Sequence, residues 1–294
     1  NIRIESTLRD DVSFELPGDI VGISAIQSFD VSPFNPNSEE WGVALLRLQA
    51  NFSDMLPGQN ATMLVFGDVR IDNLAGEVVS DGIAITAPSN INIRRGPSTE
   101  ADVVGTVSAT NSVDALARTP DSAWVQIALD NDVNGWVFAS LFNTSGDLTT
   151  LPIIEPDFDA TEYAPLQAFY FQSGVGDASC SGIPQDGVVL QTPRGAQFVN
   201  FRVNGVDVTI GSTVFLRAIA GDGLYITTLE GTAIVESNGE REIVTTSFTV
   251  RVPLDDNLQP TGIPRFVTSE TFFGGESLLS ALPQDITLIS VDAT

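Results

Sequence analysis

Apolar residues recur at every second position over short runs through most of this chain, a period that belongs to strands rather than helices. The clearest run is "VNFRVNGVDVTI". Val199, Phe201 and Val203 alternate with polar residues, Asn204-Gly205 is the residue pair of a two-residue type I′ turn, and Val206, Val208 and Ile210 resume the alternation. Pairing across that turn sets Val203 beside Val206, Phe201 beside Val208 and Val199 beside Ile210, all on one face. Further strands are predicted at "STVFLRAI", "GLYITTLEGTAIV" and "FTVRVPL", with Asn238-Gly239 marking another turn. Earlier in the chain, Trp41–Ala50 and Ala61–Ile71 form a predicted hairpin around Pro57-Gly58. Short apolar runs at "NIRIE" and "VSFEL" precede it, and "VSPFNPNSEE" breaks them as a loop does.

This pattern predicts an all-β, multidomain chain of small β-sandwich and β-barrel modules. Residues 1–80 form a sandwich-like module, 82–144 a barrel of evenly spaced short strands, and 168–254 a third β unit. Between the last two, 145–167 carries three prolines and five acids without alternation, and is expected to be a semi-extended acidic linker. Residues 255–294 are irregular, with a short helix candidate at "GGESLLSAL" and a closing strand-like run "DITLISV".

Both ends of the chain carry apolar extended runs. Ile2 and Ile4 alternate with Arg3 and Glu5, and Ile286, Leu288 and Val291 lie in the closing run. Terminal strands pair within their own sheet or are lent to a neighbouring subunit. With no lysine to guard a sheet edge, the expectation is the second: a homo-oligomer or polymer assembled head to tail through these strands.

Composition narrows the chemistry. Thirty-eight acids face thirteen basic residues, all arginine, for a formal charge of −25. That surface repels nucleic acid and anionic headgroups, so neither is an expected partner. Without histidine or lysine there is no Ser-His-Asp relay, Schiff base or histidine-ligated metal. No G-x-S-x-G elbow, P-loop or G-x-G-x-x-G stands between a strand and a helix. Carboxylate pairs arise by chance among so many acids, but no tryptophan-lined cleft frames them, so no enzymatic activity and no cofactor are expected. The lone Cys180 has no partner for an intramolecular disulfide, and reads as a small thiol or, less often, an intermolecular bridge. No apolar run reaches the roughly 18 residues of a membrane span. The chain opens on Asn1 without a charged start and apolar core, as a secreted protein with its signal removed or a piece of a longer one would. Sequons at Asn51, Asn60 and Asn143 add possible glycosylation and fit an extracellular or cell-surface location.

From Gly82 to Phe142 the strands carry a set of motifs in order. They are Asn92-Ile93-Arg94-Arg95-Gly96-Pro97-Ser98, Val103-Val104-Gly105-Thr106-Val107, Trp124-Val125-Gln126-Ile127 and Gly135-Trp136-Val137. This stretch resembles the bacterial SH3 (SH3b) family, which implies a small SH3-like barrel and, by analogy with wall-targeting relatives, binding of envelope glycan or peptide. One departure stands out: where the family often has a glycine before the next strand, this chain has Thr110-Asn111-Ser112. Ile91 and Ile93 alternate with Arg94, so the arginine stands away from the core, and the resemblance makes it part of the fold signature. Arg94, Trp124 and Trp136 are the candidate ligand groove, with core packing as the plainer role of the tryptophans. Asp130, Asp132 and Asn134 fit the first half of a calcium loop, but Leu141 stands where its closing glutamate belongs, and these residues suit the hairpin turn before Gly135. More loosely, 168–254 resembles a FecR-like β domain.

Two function classes follow. The favoured one is a non-enzymatic extracellular structural protein, a subunit of a bacterial surface filament or other cell-surface assembly. The alternative is an envelope-binding protein that uses the SH3b-like domain to hold peptidoglycan or another glycan.

Overall fold

The structure is a computed structural model, and it describes residues 2–6, 26–33, 35, 42–48, 59–75, 82–128, 134–144, 146–155, 163–174, 186–193 and 198–267. Its regular elements are almost all strands. The first five are β1 (Ile2–Ser6), β2 (Ile26–Val31), β3 (Val43–Leu48), β4 (Ala61–Phe66) and β5 (Val69–Asn73). A barrel follows, made of β6 (Ile83–Thr86), β7 (Ile91–Arg94), β8 (Val103–Val107), β9 (Ser112–Arg118), β10 (Trp124–Ala128), β11 (Asn134–Phe138) and β12 (Asn143–Thr144). The rest are β13 (Ala168–Ser173), β14 (Gly187–Gln191), β15 (Val199–Val203), β16 (Val206–Ile219), β17 (Gly223–Ser237), β18 (Glu240–Thr245), β19 (Thr249–Pro253) and β20 (Arg265–Val267).

The hairpin at Asn204-Gly205 forms in the expected register, with Val203 opposite Val206, Phe201 opposite Val208 and Val199 opposite Ile210. Both turn residues have positive φ, 49° and 73°, as a type I′ turn requires. Strands β16 and β17 then run far past this hairpin and hold the larger body together. The first half of β16 pairs with β15 and its second half with β14, while β17 pairs with β18 at one end and β19 at the other. A register shift between Thr213 and Val214, where Leu229 of β17 is skipped between Thr228 and Glu230, bends the pair where it changes partners. The thirteen-stranded sheet therefore folds over on itself through these two strands. Phe29, Ile71, Phe201 and Val235 of one half meet Met63, Val188, Leu216 and Val250 of the other in one core.

This topology corrects the expected division of the chain. Residues 1–80 and 168–254 are not two modules. Strand β5 pairs with β13 and β4 with β14, so both segments build one sandwich into which β6–β12 are inserted. The run predicted as one strand, Ala61–Ile71, breaks at Gly67, whose φ of 79° sends β4 and β5 to different halves of the sandwich. A side chain there would also collide with Asp186 Oδ1, 1.8 Å from a Cβ at this position.

The expected linker is exposed at most of 146–150 but packed, rather than solvated, over 151–155. Leu151 joins the barrel core, and Ile153, two residues on, packs with Leu74, Ala168 and Tyr170 of the sandwich. Nor is β1 lent to a neighbour: Ile2 to Ser6 pair antiparallel with β2 of the same chain, Ile2 opposite Val31 and Ile4 opposite Phe29. An extended terminus already tethered beside an open edge satisfies its backbone there first.

Candidate binding face of the inserted barrel

Cross-strand pairing sorts the barrel's side chains into two faces. Val125 lies opposite Val137, and both join Ile91, Ile93, Val107 and Ile127 in the barrel core. Their neighbours along each strand point the other way. Trp124 pairs with Phe138, Gln126 with Trp136, Trp136 with Arg94, and Asn92 with Thr106. Both tryptophans are therefore on the face away from the core, yet they are only 8% and 6% exposed. The rings of Trp124 and Phe138 meet edge to face at 5.2 Å and 67°. Phe138, packed on Trp124, is 37% exposed, so an apolar surface continues from a buried tryptophan out to solvent, and Leu141, three residues on, is 50% exposed.

The polar groups of this face are amides, a hydroxyl and one guanidinium. Asn134 Nδ2 donates to Gln126 Oε1 at 3.2 Å, which ties that candidate calcium ligand to the strand pair. Arg94 Nη1 donates to the Ala101 carbonyl at 2.8 Å and so pins the loop from Arg95 to Asp102. Arg95 stands largely in solvent, 3.9 Å from the Asp102 carboxylate. Aromatic edges bordered by neutral hydrogen-bonding groups suit a sugar ring or an extended peptide rather than acid-base chemistry. Thr110 follows the β8 strand with a φ of 69°, the left-handed region that the glycine of the resembled motif would enter without strain.

Residues 89–143 match the family model of the bacterial SH3 domain. No curated protein and no solved structure matches the chain. The SH3b resemblance is thus carried by an independent comparison over the stretch that holds all four motifs. The FecR-like resemblance over 168–254 gains no such support.

The segment that follows the SH3 strands ties them to the sandwich through polar groups that the sequence reading did not foresee. Arg118, at the end of β9 and 8% exposed, donates from Nε to Leu151 O at 3.2 Å. Its Nη1 donates to Pro120 O at 3.1 Å and Ser122 Oγ at 3.2 Å. Burial pulls its pKa down, and Asp72 of the sandwich opposes that shift. Asp72 is in turn raised by burial against the pull of Arg70, whose Nη2 is 2.9 Å from its Oδ1. Past Ile153, Glu155 accepts from Tyr170 Oη and from Arg202 Nη2 at 3.2 Å, while Gln259 Nε2 donates to the same tyrosine oxygen at 2.6 Å. Burial, then Glu155, push the Tyr170 hydroxyl far up, so it stays a proton donor. Period-two alternation carries no signal for such contacts, because Glu155, Tyr170 and Gln259 are distant in sequence.

The remaining predicted sites fall as follows. Asn143 is exposed on β12, whereas Asn60 is half-buried with its amide oxygen enclosed and without a hydrogen-bond partner. Asn51, Asp130, Asp132, Cys180, Ile286, Leu288 and Val291 lie outside the described residues. Among the described residues no three or more metal-capable side chains cluster, and no helix is long and apolar enough to cross a membrane. Phe138 and Leu141 were missed as site residues. Phe138 was within reach of the sequence, since it lies two residues past Trp136 and hence on the same face.

Proposed function

We propose that this chain is a non-catalytic protein of the bacterial cell surface that holds an envelope glycan or wall peptide on the outer face of its SH3 domain, with the sandwich as carrier. The observation that carries the reading is the apolar step from buried Trp124 to half-exposed Phe138, with exposed Leu141 three residues further along the chain, on an SH3 domain. Such a surface offers a ligand a rigid aromatic anchor at low entropic cost. The absence of histidine and lysine supports the non-catalytic part of the reading. The test is co-sedimentation of the purified chain with insoluble peptidoglycan. Wild type should pellet, and Phe138→Ala with Leu141→Ala should weaken binding about tenfold, a loss of roughly 1.4 kcal/mol. Wild type left in the supernatant, or a double variant that binds as well, would overturn the reading.

One observation favours a second reading, a subunit of a surface filament or similar assembly. Among the described residues β3 pairs only with β4, and its outward Val43 and Leu45 are each 41% exposed on that open edge. Light scattering at rising concentration separates the two, because only an assembly subunit forms species that grow with concentration.

A further inference from the structure

Three Asn-Gly pairs occur in the chain, Asn134-Gly135, Asn204-Gly205 and Asn238-Gly239, and the fold treats each differently. Asparagine before glycine is open to attack of the next backbone nitrogen on its side-chain carbonyl carbon, because glycine has no Cβ to obstruct the approach. The first pair is held in the SH3 sheet, where Gly135 is buried opposite Ile127 and Asn134 Nδ2 donates to Gln126 Oε1. The second is enclosed. Asn204 is fully buried, its side chain bonded at both ends to the Phe171 backbone, and Pro260 stands 3.2 Å from a Cβ at Gly205. The third stands open at the tip of the β17–β18 hairpin: Asn238 and Gly239 are both exposed, and nothing lies within 4 Å of a Cβ at Gly239. Their φ angles of 50° and 78° suit a type I′ turn, whose ladder closes on Ser237 and Glu240 and leaves the Gly239 N–H outside it.

We propose that Asn238 is a site of spontaneous covalent modification, converting with time to aspartate and isoaspartate, and that the change loosens this corner of the sandwich. The Gly239 nitrogen bonds to Asn238 Cγ, the Cγ–Nδ2 bond breaks, and Nδ2 leaves as ammonia with the proton of the glycine amide. Water then opens the cyclic imide at either carbonyl. Opening at the side-chain carbonyl gives aspartate in an ordinary backbone; opening at the main-chain carbonyl gives isoaspartate, with the backbone routed through the side chain and one carbon longer. Both products disturb the same contact. Asn238 Nδ2 donates to Gly262 O at 3.0 Å and Ser237 Oγ donates to the same oxygen at 2.9 Å, so the hairpin tip is tied to the segment that leads into β20. A carboxylate has no N–H to give and turns like polarity toward that carbonyl oxygen. Isoaspartate also lengthens a turn whose two residues fix the register of the hairpin. The new charge joins Glu236, Glu240 and Glu242 on the same hairpin, against Arg241 alone. Loss of ammonia makes the conversion one-way, so the fraction modified records the age of the chain. This inference is independent of what the SH3 domain binds.

Ageing the purified full chain in mildly alkaline buffer, followed by peptide mass mapping and an isoaspartate-specific methylation assay, tests it. The fragment that holds Asn238 should gain the mass of an amide hydrolysed to an acid about tenfold faster than those that hold Asn134 or Asn204, which must open locally before they react. Hydrogen exchange of the β18 amides next to the turn should speed up in the aged chain. The full-length variant Asn238→Asp, which loses the tie to Gly262 but keeps the ordinary backbone, should show a smaller part of that increase. No conversion at Asn238 while a free peptide of residues 234–243 converts completely would overturn the proposal, as would equal rates at all three pairs. Conversion that leaves the exchange of β18 unchanged would overturn the loosening.

Discussion

The SH3 domain and the sandwich are both built from short strands of alternating residues, but they close over very different distances along the chain. Within the SH3 domain the most distant paired strands are β6 and β12, where Thr86 faces Asn143. In the sandwich Val65 faces Val188, and Ile71 faces Phe171 with the whole SH3 domain between them. A contiguous fold keeps its motifs in order along one stretch, where a reader or a family model can find them. An interrupted one does not, because its partners are specified by register and burial rather than by neighbourhood in sequence.

That difference can be probed from either side. The largest effect is expected where a single side chain joins distant parts of the sandwich. Asn204 is fully buried, its Nδ2 donating to Phe171 O at 2.9 Å and its Oδ1 accepting from Phe171 N at 3.2 Å. Asn204→Ala strands both backbone groups and should cost about 4 kcal/mol by urea denaturation, at about 1–3 kcal/mol per group. Asn204→Gly tolerates the turn and should recover only the smaller part of that loss. If glycine restores wild-type stability, the bridge to β13 contributes nothing and the turn alone explains the residue.

On the other side of the comparison, Leu151 lies in sequence beyond the SH3 motifs but in space within the SH3 core, at 3% exposure. Leu151→Ala should lower the stability of the SH3 unit by about 3 kcal/mol. An excised segment 82–155 should fold, whereas 82–144, which lacks this residue, should be markedly weaker; equal melting of the two would place the domain's end earlier. A smaller and opposite effect is expected at Thr110. Thr110→Gly relieves a left-handed β-branched residue and should raise the SH3 melting transition by about 1 kcal/mol of stability.

The smallest effect is a slope. Asp186, which fills the space beside Gly67, has its pKa raised to about 6 from 3.8, first by burial and also by the nearby Asp68. A carboxyl raised in the folded state favours folding most when protonated. Its contribution is complete below about pH 3.8 and is lost as pH rises toward 6. Asp186→Asn should flatten the melting temperature across that window and leave the SH3 transition unchanged. An unaltered pH profile would show that the carboxyl is solvated at this turn.

Much of the architecture was legible because it is local. The register at Asn204-Gly205, the pairing of β3 with β4 and the order of strands through the SH3 motifs all follow from alternation and turn chemistry. What escaped depends on contacts between distant segments. Ala61–Ile71 looked continuous because the two sides of the break at Gly67 are told apart only by their distant partners, β14 for Ala61–Phe66 and β13 for Val69–Asn73. Residues 146–155 looked like linker because their apolar residues serve two cores in alternation, Leu151 one and Ile153 the other. On the candidate face, the tryptophans were readable as types, but their position opposite the core emerged only once Trp124 was paired with Phe138.

The insertion also has a mechanical side. Strands β5 and β13 are antiparallel neighbours, Asn73 at the end of one facing Phe169 near the start of the other, so both strands that carry the SH3 domain leave the sandwich from the same end. A force applied to that domain is therefore divided between two adjacent strands. It loads the hydrogen bonds to their outer neighbours β2 and β15 along the strand direction, together rather than one at a time. Rupture in that geometry needs the bonds of both ladders to fail together. A tether held through an inserted domain resists extraction more strongly than one that dangles from a chain end, where the same pull would peel a single edge strand bond by bond.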